Sequence, residues 1–207
     1  MPTSAVAKRA FDLALAVPAL ILTAPLQAVV AVAVRRRLGS PVLFRQTRPG
    51  LHGRPFQMLK FRSMLDEDPS RGLVTDAERL TPFGAKLRAT SLDELPALWN
   101  IVRGDMSLVG PRPLLMSYLN RYSPEQARRH HVKPGLTGLA QVSGRNAVKW
   151  DERLRLDVHY VDHHSIRGDL QLIWRTVRPV LARDGVTGSE SVTMNEFAGK
   201  PCLEGAP

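Results

Sequence analysis

Polar and apolar positions divide the chain sharply near its start. From Leu13 to Val34 no side chain is charged, and Thr23 and Gln27 are the polar ones. As a straight helix this stretch would be about 33 Å long, close to the ~30 Å of a bilayer's hydrocarbon core. Past Gly39-Ser40-Pro41 the pattern becomes that of a mixed domain. Val42 to Phe44 and Phe56 to Phe61 read as short strands around a Pro49-Gly50 turn, and 65–77 reads as polar loop. Helical spacing returns at Phe83 to Arg88, Leu92 to Val102, Tyr118 to His131 and Asp151 to Asp162. Between these lie a two-proline loop over 106–113 and a Gly-rich segment from Pro134 to Asn146. Ile166, Leu170, Ile173, Trp174, Val177 and Leu181 then mark an amphipathic helix with basic flanks, expected to pack on the core. The expectation is an α+β, mainly helical fold. A membrane helix with a basic flank occupies 1–40, a compact domain 41–184 and a tail 185–207.

Three readings compete for the apolar stretch. Lys8 and Arg9 before it and Ala31-Val32-Ala33 within it resemble a secretory signal. The stretch exceeds the ~7–15 residues of a signal core, however, and cleavage would leave Arg35-Arg36-Arg37 to be translocated. A spanning helix is the second reading, with basic residues at both ends and hence no clear orientation. The third is a re-entrant helix that leaves by the leaflet it entered. Pro18 and Pro25 are seven residues apart, on nearly one face, so bends at Ala24-Pro25 and Pro18 would add. All flanking cations would then meet one anionic surface. The residues favour this third reading.

Charge sharpens the picture. The formal net charge is +10, and no acidic residue occurs between Leu13 and Leu65. Such a balance predicts an anionic partner: nucleic acid, anionic lipid or a phosphorylated substrate. Nucleic acid is the weaker candidate, because the basic residues lack interleaved aromatics and a binding motif. The single cysteine, Cys202, excludes an internal disulfide. Neither G-x-x-x-x-G-K-[ST] nor G-x-G-x-x-G is present, so neither familiar phosphate loop holds a nucleotide.

Two short segments could carry chemistry. Ser91-Leu92-Asp93-Glu94-Leu95-Pro96 sets two carboxylates side by side at a helix start. Ser91 and Glu94 fit a capping box, yet Pro96 falls where an interior proline is disfavoured, so the helix is kinked or begins later. Gly110-Pro111-Arg112-Pro113 fixes one arginine between prolines, either of which could follow a cis bond, and suits bidentate phosphate recognition. His159 and His163 share a helical face as zinc ligands can, but no third ligand stands nearby in sequence.

Taken in order, these segments resemble the bacterial sugar transferase family, the small monotopic phosphoglycosyl transferases. The resemblance runs through Lys8-Arg9-x-Phe11-Asp12, Pro41-Val42-Leu43-Phe44-Arg45-Gln46-x-Arg48-Pro49-Gly50 and Lys60-Phe61-Arg62-Ser63-Met64. It continues through Ser91 to Pro96, Gly104 to Pro113, Pro134 to Gly138 and Gly144-Arg145-Asn146. It implies a re-entrant membrane helix broken at Ala24-Pro25, in the bacterial inner membrane, with a cytoplasm-facing catalytic domain among anionic lipids. It also implies a Mg2+-dependent transfer of sugar 1-phosphate from a UDP-sugar to polyprenyl (undecaprenyl) phosphate, releasing UMP. By the same resemblance Asp93 is the nucleophile and a metal ligand, Glu94 its partner and Arg112 the phosphate clamp. Lys60, Arg88, Arg145 and Asp157 complete the substrate-binding shell. The tail from Gly185 to Lys200 resembles a branch using a UDP-linked diacetamido sugar. The chain departs from the family pattern with Ala24 before Pro25, Leu139 and Ser143 in the Gly-rich segment, and Arg167-Gly168.

Overall fold

A computed structural model describes residues 3–144, 149–182 and Phe197. The first element, α1 (Ala5–Leu38), is a single 34-residue helix. Ser4 caps its start by accepting from the Ala7 N–H, and Arg35, Arg36 and Arg37 complement the dipole at its end. Pro18 and Pro25 lie inside it. Its polar groups are satisfied locally: the Thr23 hydroxyl donates to the Ala19 carbonyl at 2.7 Å, and Gln27 Nε2 donates to Thr23 Oγ1 at 3.0 Å.

Both ends of α1 are buried against the domain, and its middle is not. Near the start, Arg9 donates to the Ile101 and Val102 carbonyls at 2.6 and 2.7 Å. Asp12 accepts from Lys8, from the Ser107 hydroxyl and from the Leu108 N–H, at 2.8, 3.0 and 3.1 Å. Near the end, Val30, Val34 and Leu38 join Phe61 and Leu87 in one core cluster. Between them Ile21, Leu22 and Val29 are 67%, 79% and 66% exposed. Solvent exposure of so many large apolar groups is costly, so this face is made for an apolar medium.

The expected strands form a hairpin longer than the sequence suggested. Here β1 (Leu43–Pro49) pairs antiparallel with β2 (Pro55–Phe61), from Leu43 opposite Phe61 to Pro49 opposite Pro55. A short 3-10 turn over Leu51–Gly53 joins them, with His52 and Gly53 at positive φ. The polar 65–77 segment holds an isolated Asp68–Leu73 bridge, is closed by a second between Met64 and Leu80, and leads into α2 (Asp76–Arg79) and α3 (Pro82–Ala89). Gly84 of α3 lies so close to the hairpin's exit that a Cβ would stand 1.7 Å from the Ser63 carbonyl.

Four expectations need correction. Leu92 to Val102 is a 3-10 turn over Leu92–Glu94 followed by α4 (Ala97–Arg103), with Pro96 at the helix start. Proline has no donor, so i+3 bonds such as Leu95 N–H to the Leu92 carbonyl replace the α pattern. The capping box does not form: Ser91 sits at φ 56° and its side chain caps nothing. The 106–113 loop contains β3 (Ser107–Val109), which pairs in parallel with β4 (Gly135–Thr137) across the Pro134-Gly135 turn. Tyr118 to His131 is not one helix: 3-10 segments Met116–Arg121 and Arg128–His131 flank α5 (Pro124–Ala127). Pro124 forces the preceding chain out of helical geometry, and Ser123 with Gln126 then forms a true capping box. Among the described residues the cis peptide bond is at Ser40-Pro41, and both prolines beside Arg112 follow trans bonds.

The remaining helices are α6 (Leu139–Val142), α7 (Trp150–His163) and α8 (Ile166–Ala182). Asn100 of α4, fully buried, holds α4 to the hairpin. Its side chain accepts from the Leu59 N–H at 3.0 Å and donates to the Gln57 carbonyl at 2.7 Å. Ala16 of α1 packs with Met58, Ala97, Leu98, Ile101 and Met106, so hairpin, α4 and α1 share one core.

Candidate active site

Asp93 and Glu94 occupy the 3-10 turn that precedes Pro96, and both line one cleft. Lys60 projects from β2, Arg88 from α3 and Arg112 from the loop after β3, and all five residues line that cleft, about 2060 Å³ in volume. Nine cationic side chains and four acidic ones line it, an excess suited to a polyanionic ligand.

Glu94 is the electrostatic centre. Its Oε1 accepts from Lys60 Nζ at 2.6 Å and from Arg112 at 3.0 Å. Burial opposes its ionisation, but Arg112 and Lys60 outweigh burial and hold the carboxyl at about 2. Asp93, 6% exposed, lacks such contacts; burial pushes its carboxyl up, Lys60 opposes and Glu94 adds to the rise. Adjacent carboxylates are thus driven apart: one is held anionic by two cations, the other is raised by burial. Arg88 donates to Ser63 Oγ at 2.9 Å, which steers it along the cleft wall.

The arginine between the prolines is pinned through its backbone. The Pro111 carbonyl accepts from the Gly135 N–H at 3.0 Å, and the Arg112 carbonyl from Arg129 at 2.7 Å. Gly135 lies against this loop so closely that a Cβ would come within 2.1 Å of the Gly110 nitrogen. Arg112's side chain remains 39% exposed toward the cleft, where its planar fork can meet a phosphate.

Asp157 stands apart from these groups. It lies behind the cleft, 3% exposed, and accepts from Arg129 at 3.1 and 2.7 Å. The structure therefore makes Asp157 the support of Arg129, which supports Arg112. Arg145 and most of the tail lie outside the described residues. Ala24-Pro25 is in the exposed middle of α1, away from the cleft lining. His159 and His163 stack on each other with ring centroids 4.3 Å apart. Sequence reasoning missed Arg129, hidden in the run Arg128-Arg129-His130-His131, where nothing local separates a buried arginine from solvated ones. It also missed Ser63 and Asn100.

A Mg2+ ion is compatible with this donor set. Among the described residues no three carboxylate, histidine or cysteine side chains converge, so no all-protein cage exists there. Magnesium commonly uses one or two carboxylates and leaves its other positions to water and substrate phosphates, a mode that Asp93 in this basic cleft can serve.

Comparison with known proteins agrees with the geometry. The family described as Bacterial sugar transferase matches residues 3–183. EpsL of Bacillus subtilis (strain 168), described as an uncharacterized sugar transferase, is 51% identical over 93% of this chain and 96% of its own length. The UDP-glucose:undecaprenyl-phosphate glucose-1-phosphate transferase of Caulobacter vibrioides is 43% identical over 86% of this chain and 70% of its own. For the undecaprenyl-phosphate galactose phosphotransferase of Salmonella typhimurium the values are 39%, 86% and 41%, so the chain spans less than half of that protein. With its family pattern matched from α1 through α8, the chain is an enzyme of the bacterial sugar transferase family.

Proposed function

We propose that the protein transfers a sugar 1-phosphate from a UDP-sugar to undecaprenyl phosphate at the bacterial inner membrane, its catalytic face toward the cytoplasm. The observation that carries this reading is the pairing of a desolvated Asp93 with a Glu94 neutralised by Lys60 and Arg112, in a basic cleft on a domain that holds an apolar helix. The named relatives that act on UDP-glucose and on undecaprenyl phosphate support the same substrates here.

In this mechanism an Asp93 carboxylate oxygen attacks the sugar-linked phosphorus of the donor. The bond between that phosphorus and the bridging oxygen breaks, UMP leaves with the electron pair, and an aspartyl phosphosugar forms. A lipid phosphate oxygen then attacks the same phosphorus and expels the Asp93 carboxylate, giving the lipid diphosphate sugar. Splitting the displacement lets a soluble donor and a membrane-bound acceptor use one site in turn. Arg112 binds phosphate oxygens through its fork, and Lys60 keeps Glu94 from repelling them. When bound by Asp93 and substrate phosphates, Mg2+ would supply charge neutralisation for the diphosphate.

The helix is read as re-entrant. Both ends of α1 are buried in the same domain while its middle is apolar and exposed, which supports a helix that dips into one leaflet. The sugar is open to two readings: the tail favours a diacetamido sugar, whereas the names of relatives point to glucose and galactose. UMP release from UDP-glucose, UDP-galactose and a UDP-diacetamido sugar, with undecaprenyl phosphate present, tests both function and donor. No UMP above background from any of them would remove the proposal.

A further inference from the structure

A half-buried cation of the cleft stands beside Arg112 without an acid to balance it. Arg48 comes from β1 and lines the cleft. Its Nε and Nη2 both donate to Gln46 Oε1, at 3.0 and 2.5 Å, and its Nη1 reaches the Pro113 carbonyl at 3.5 Å. Lys60 and Arg112 share the Glu94 carboxylate, whereas among the described residues no carboxylate pairs with Arg48. Burial first, and then the Arg112 charge, push the Arg48 guanidinium below its usual pKa. A guanidinium stays protonated even so, which leaves two like charges side by side in a partly desolvated wall.

The transfer described above brings two phosphates into the cleft at each step. In the first, the phosphorus under attack is still joined to the phosphate that leaves as UMP. In the second, it is carried by Asp93 while the lipid phosphate approaches. Attacking and leaving oxygens lie in line across the phosphorus. The oxygen that leaves first and the oxygen that attacks second are therefore on the same side, opposite Asp93. Glu94 and Asp93 act on Arg112 and raise its pKa, whereas the charge that presses on Arg48 is Arg112 itself. Leading away from Asp93, the order is thus Arg112 and then Arg48.

We propose that Arg48, together with Arg112, forms a second phosphate seat, taken in turn by the phosphate that leaves with uridine and by the phosphate of the lipid acceptor. An anion between the two guanidinium groups would offset their repulsion and accept from both forks. Gln46 is a positioning residue, because its one amide oxygen holds two N–H groups of Arg48 in a fixed plane. The inference rests on the transferase reading above and gives its two half-reactions one common subsite.

The test compares the full-length wild type with Arg48→Gln, Arg48→Lys and Gln46→Ala in detergent, with undecaprenyl phosphate as acceptor. Arg48→Gln should lower kcat/KM for the UDP-sugar and for the lipid phosphate alike, each by roughly ten- to a hundredfold, the scale of one lost hydrogen bond to a charged group. Arg48→Lys returns the charge without the fork, and Gln46→Ala keeps the arginine without its clamp, so both should lose less. Without ligand, Arg48→Gln should melt no lower than wild type, because a desolvated like charge has been removed. Inorganic pyrophosphate should raise the melting temperature of wild type and raise that of Arg48→Gln less. Unchanged kcat/KM for both substrates, or equal stabilisation by pyrophosphate, would overturn the proposal. A loss confined to one substrate would also overturn it, since Arg48 would then serve the leaving phosphate alone or the lipid phosphate alone. So would a lower melting temperature matched by an equal loss for both substrates, which would make Arg48 a structural residue. A wild type that turns over no UDP-sugar defeats the transferase reading, and the pyrophosphate measurement then still decides whether Arg48 binds phosphate.

Discussion

Replacing Glu94 by Gln keeps its size and removes its charge, which isolates the electrostatic role of the residue. The carboxyl is held at about 2 against an ordinary 4.5. At ~1.4 kcal/mol per pKa unit this depression represents roughly 3 kcal/mol of favourable interaction. The Glu94 side chain is 19% exposed, so solvent screening takes little of it. A carboxyl depressed on folding contributes its full stability above its unfolded pKa and loses it as pH falls through the folded value. The relevant window here is from about 4.5 down to about 2. From the side of Lys60 the same contact looks weaker: burial and Arg112 keep its ammonium pKa below the usual value despite Glu94. The two views agree once the cluster is treated as three charges. Glu94 holds together two cations that repel each other, so its own shift reports the interaction more directly. At pH 7 Glu94→Gln should lose roughly 3 kcal/mol, seen as a melting temperature about 6–12 °C lower for a domain of this size. Thermal unfolding in detergent at pH 7 and at pH 3–4 provides the measurement, and the gap to wild type should narrow at the lower pH. Equal melting temperatures at pH 7, or a gap that persists unchanged at acid pH, would refute the three-charge account.

Asp93→Asn should abolish turnover and yet raise the melting temperature at pH 7. A carboxyl raised by burial contributes stability that is present below its unfolded pKa and lost as pH rises through the folded one, so its charged form strains the fold. Radiolabelled phosphosugar should be trapped on wild type and not on this variant, and normal turnover or a lower melting temperature contradicts the assignment. Arg112→Lys keeps a charge but loses the fork, so transfer should fall roughly a hundredfold, the scale of one lost anion-stabilising donor. Its backbone contact with Arg129 survives, and a rate equal to wild type would reduce Arg112 to a point charge. For topology, Thr3→Cys in a Cys202→Ser background should be shielded from a membrane-impermeant thiol reagent in cells with a permeabilised outer membrane. Adding Pro25→Ala should increase labelling by favouring a straight helix, and strong labelling without it would replace the re-entrant reading with a spanning one.

What could be read from the chain alone follows the range of the interactions involved. The apolar stretch of α1, the hairpin around Pro49-Gly50 and the helices α7 and α8 each carry their signal in one continuous stretch of chain. The pairing of β3 with β4 does not, because three-residue parallel strands drawn from separate loops leave no periodicity. Pro96 was the informative residue at the site. It contradicted the capping box, and the short 3-10 turn it produces is what places Asp93 and Glu94. Lys60 and Arg88 were recognisable only through resemblance, since a basic residue on a strand or helix is ordinarily solvated, whereas Arg112 was marked by the prolines on either side of it. Asp157 was grouped with the ligand-binding shell, whereas its carboxylate is spent on Arg129. Nothing near Arg129 in sequence distinguishes a buried arginine, whose partners are contributed by α7 and by the Arg112 loop.

Helix α1, which is long and apolar enough to enter a membrane, is joined to both halves of the site by direct polar contact, and this bears on why the enzyme keeps such costly buried charges. Arg9 of α1 binds the carbonyls that end α4, α4 binds β2 through Asn100, and β2 carries Lys60 to Glu94. Asp12 of α1 binds the Leu108 N–H in β3, and the next turn of chain carries Arg112 to the same Glu94 oxygen. Lys8 further ties Asp12 to Asp169 of α8, with 3.2 Å to the latter, and Tyr160 donates to Asp169 at 2.8 Å. Apolar packing alone would let a helix in a fluid bilayer slide or rotate against the domain, since such contacts have little directional preference. Buried ion pairs are weak stabilisers but demanding of geometry, because separating them strands charges out of water. Placing them at the start of α1 fixes the position and rotation of α1 relative to Lys60 and Arg112. On the function proposed above, the cleft is thereby held in register with the apolar face of α1, where a lipid-borne acceptor would arrive.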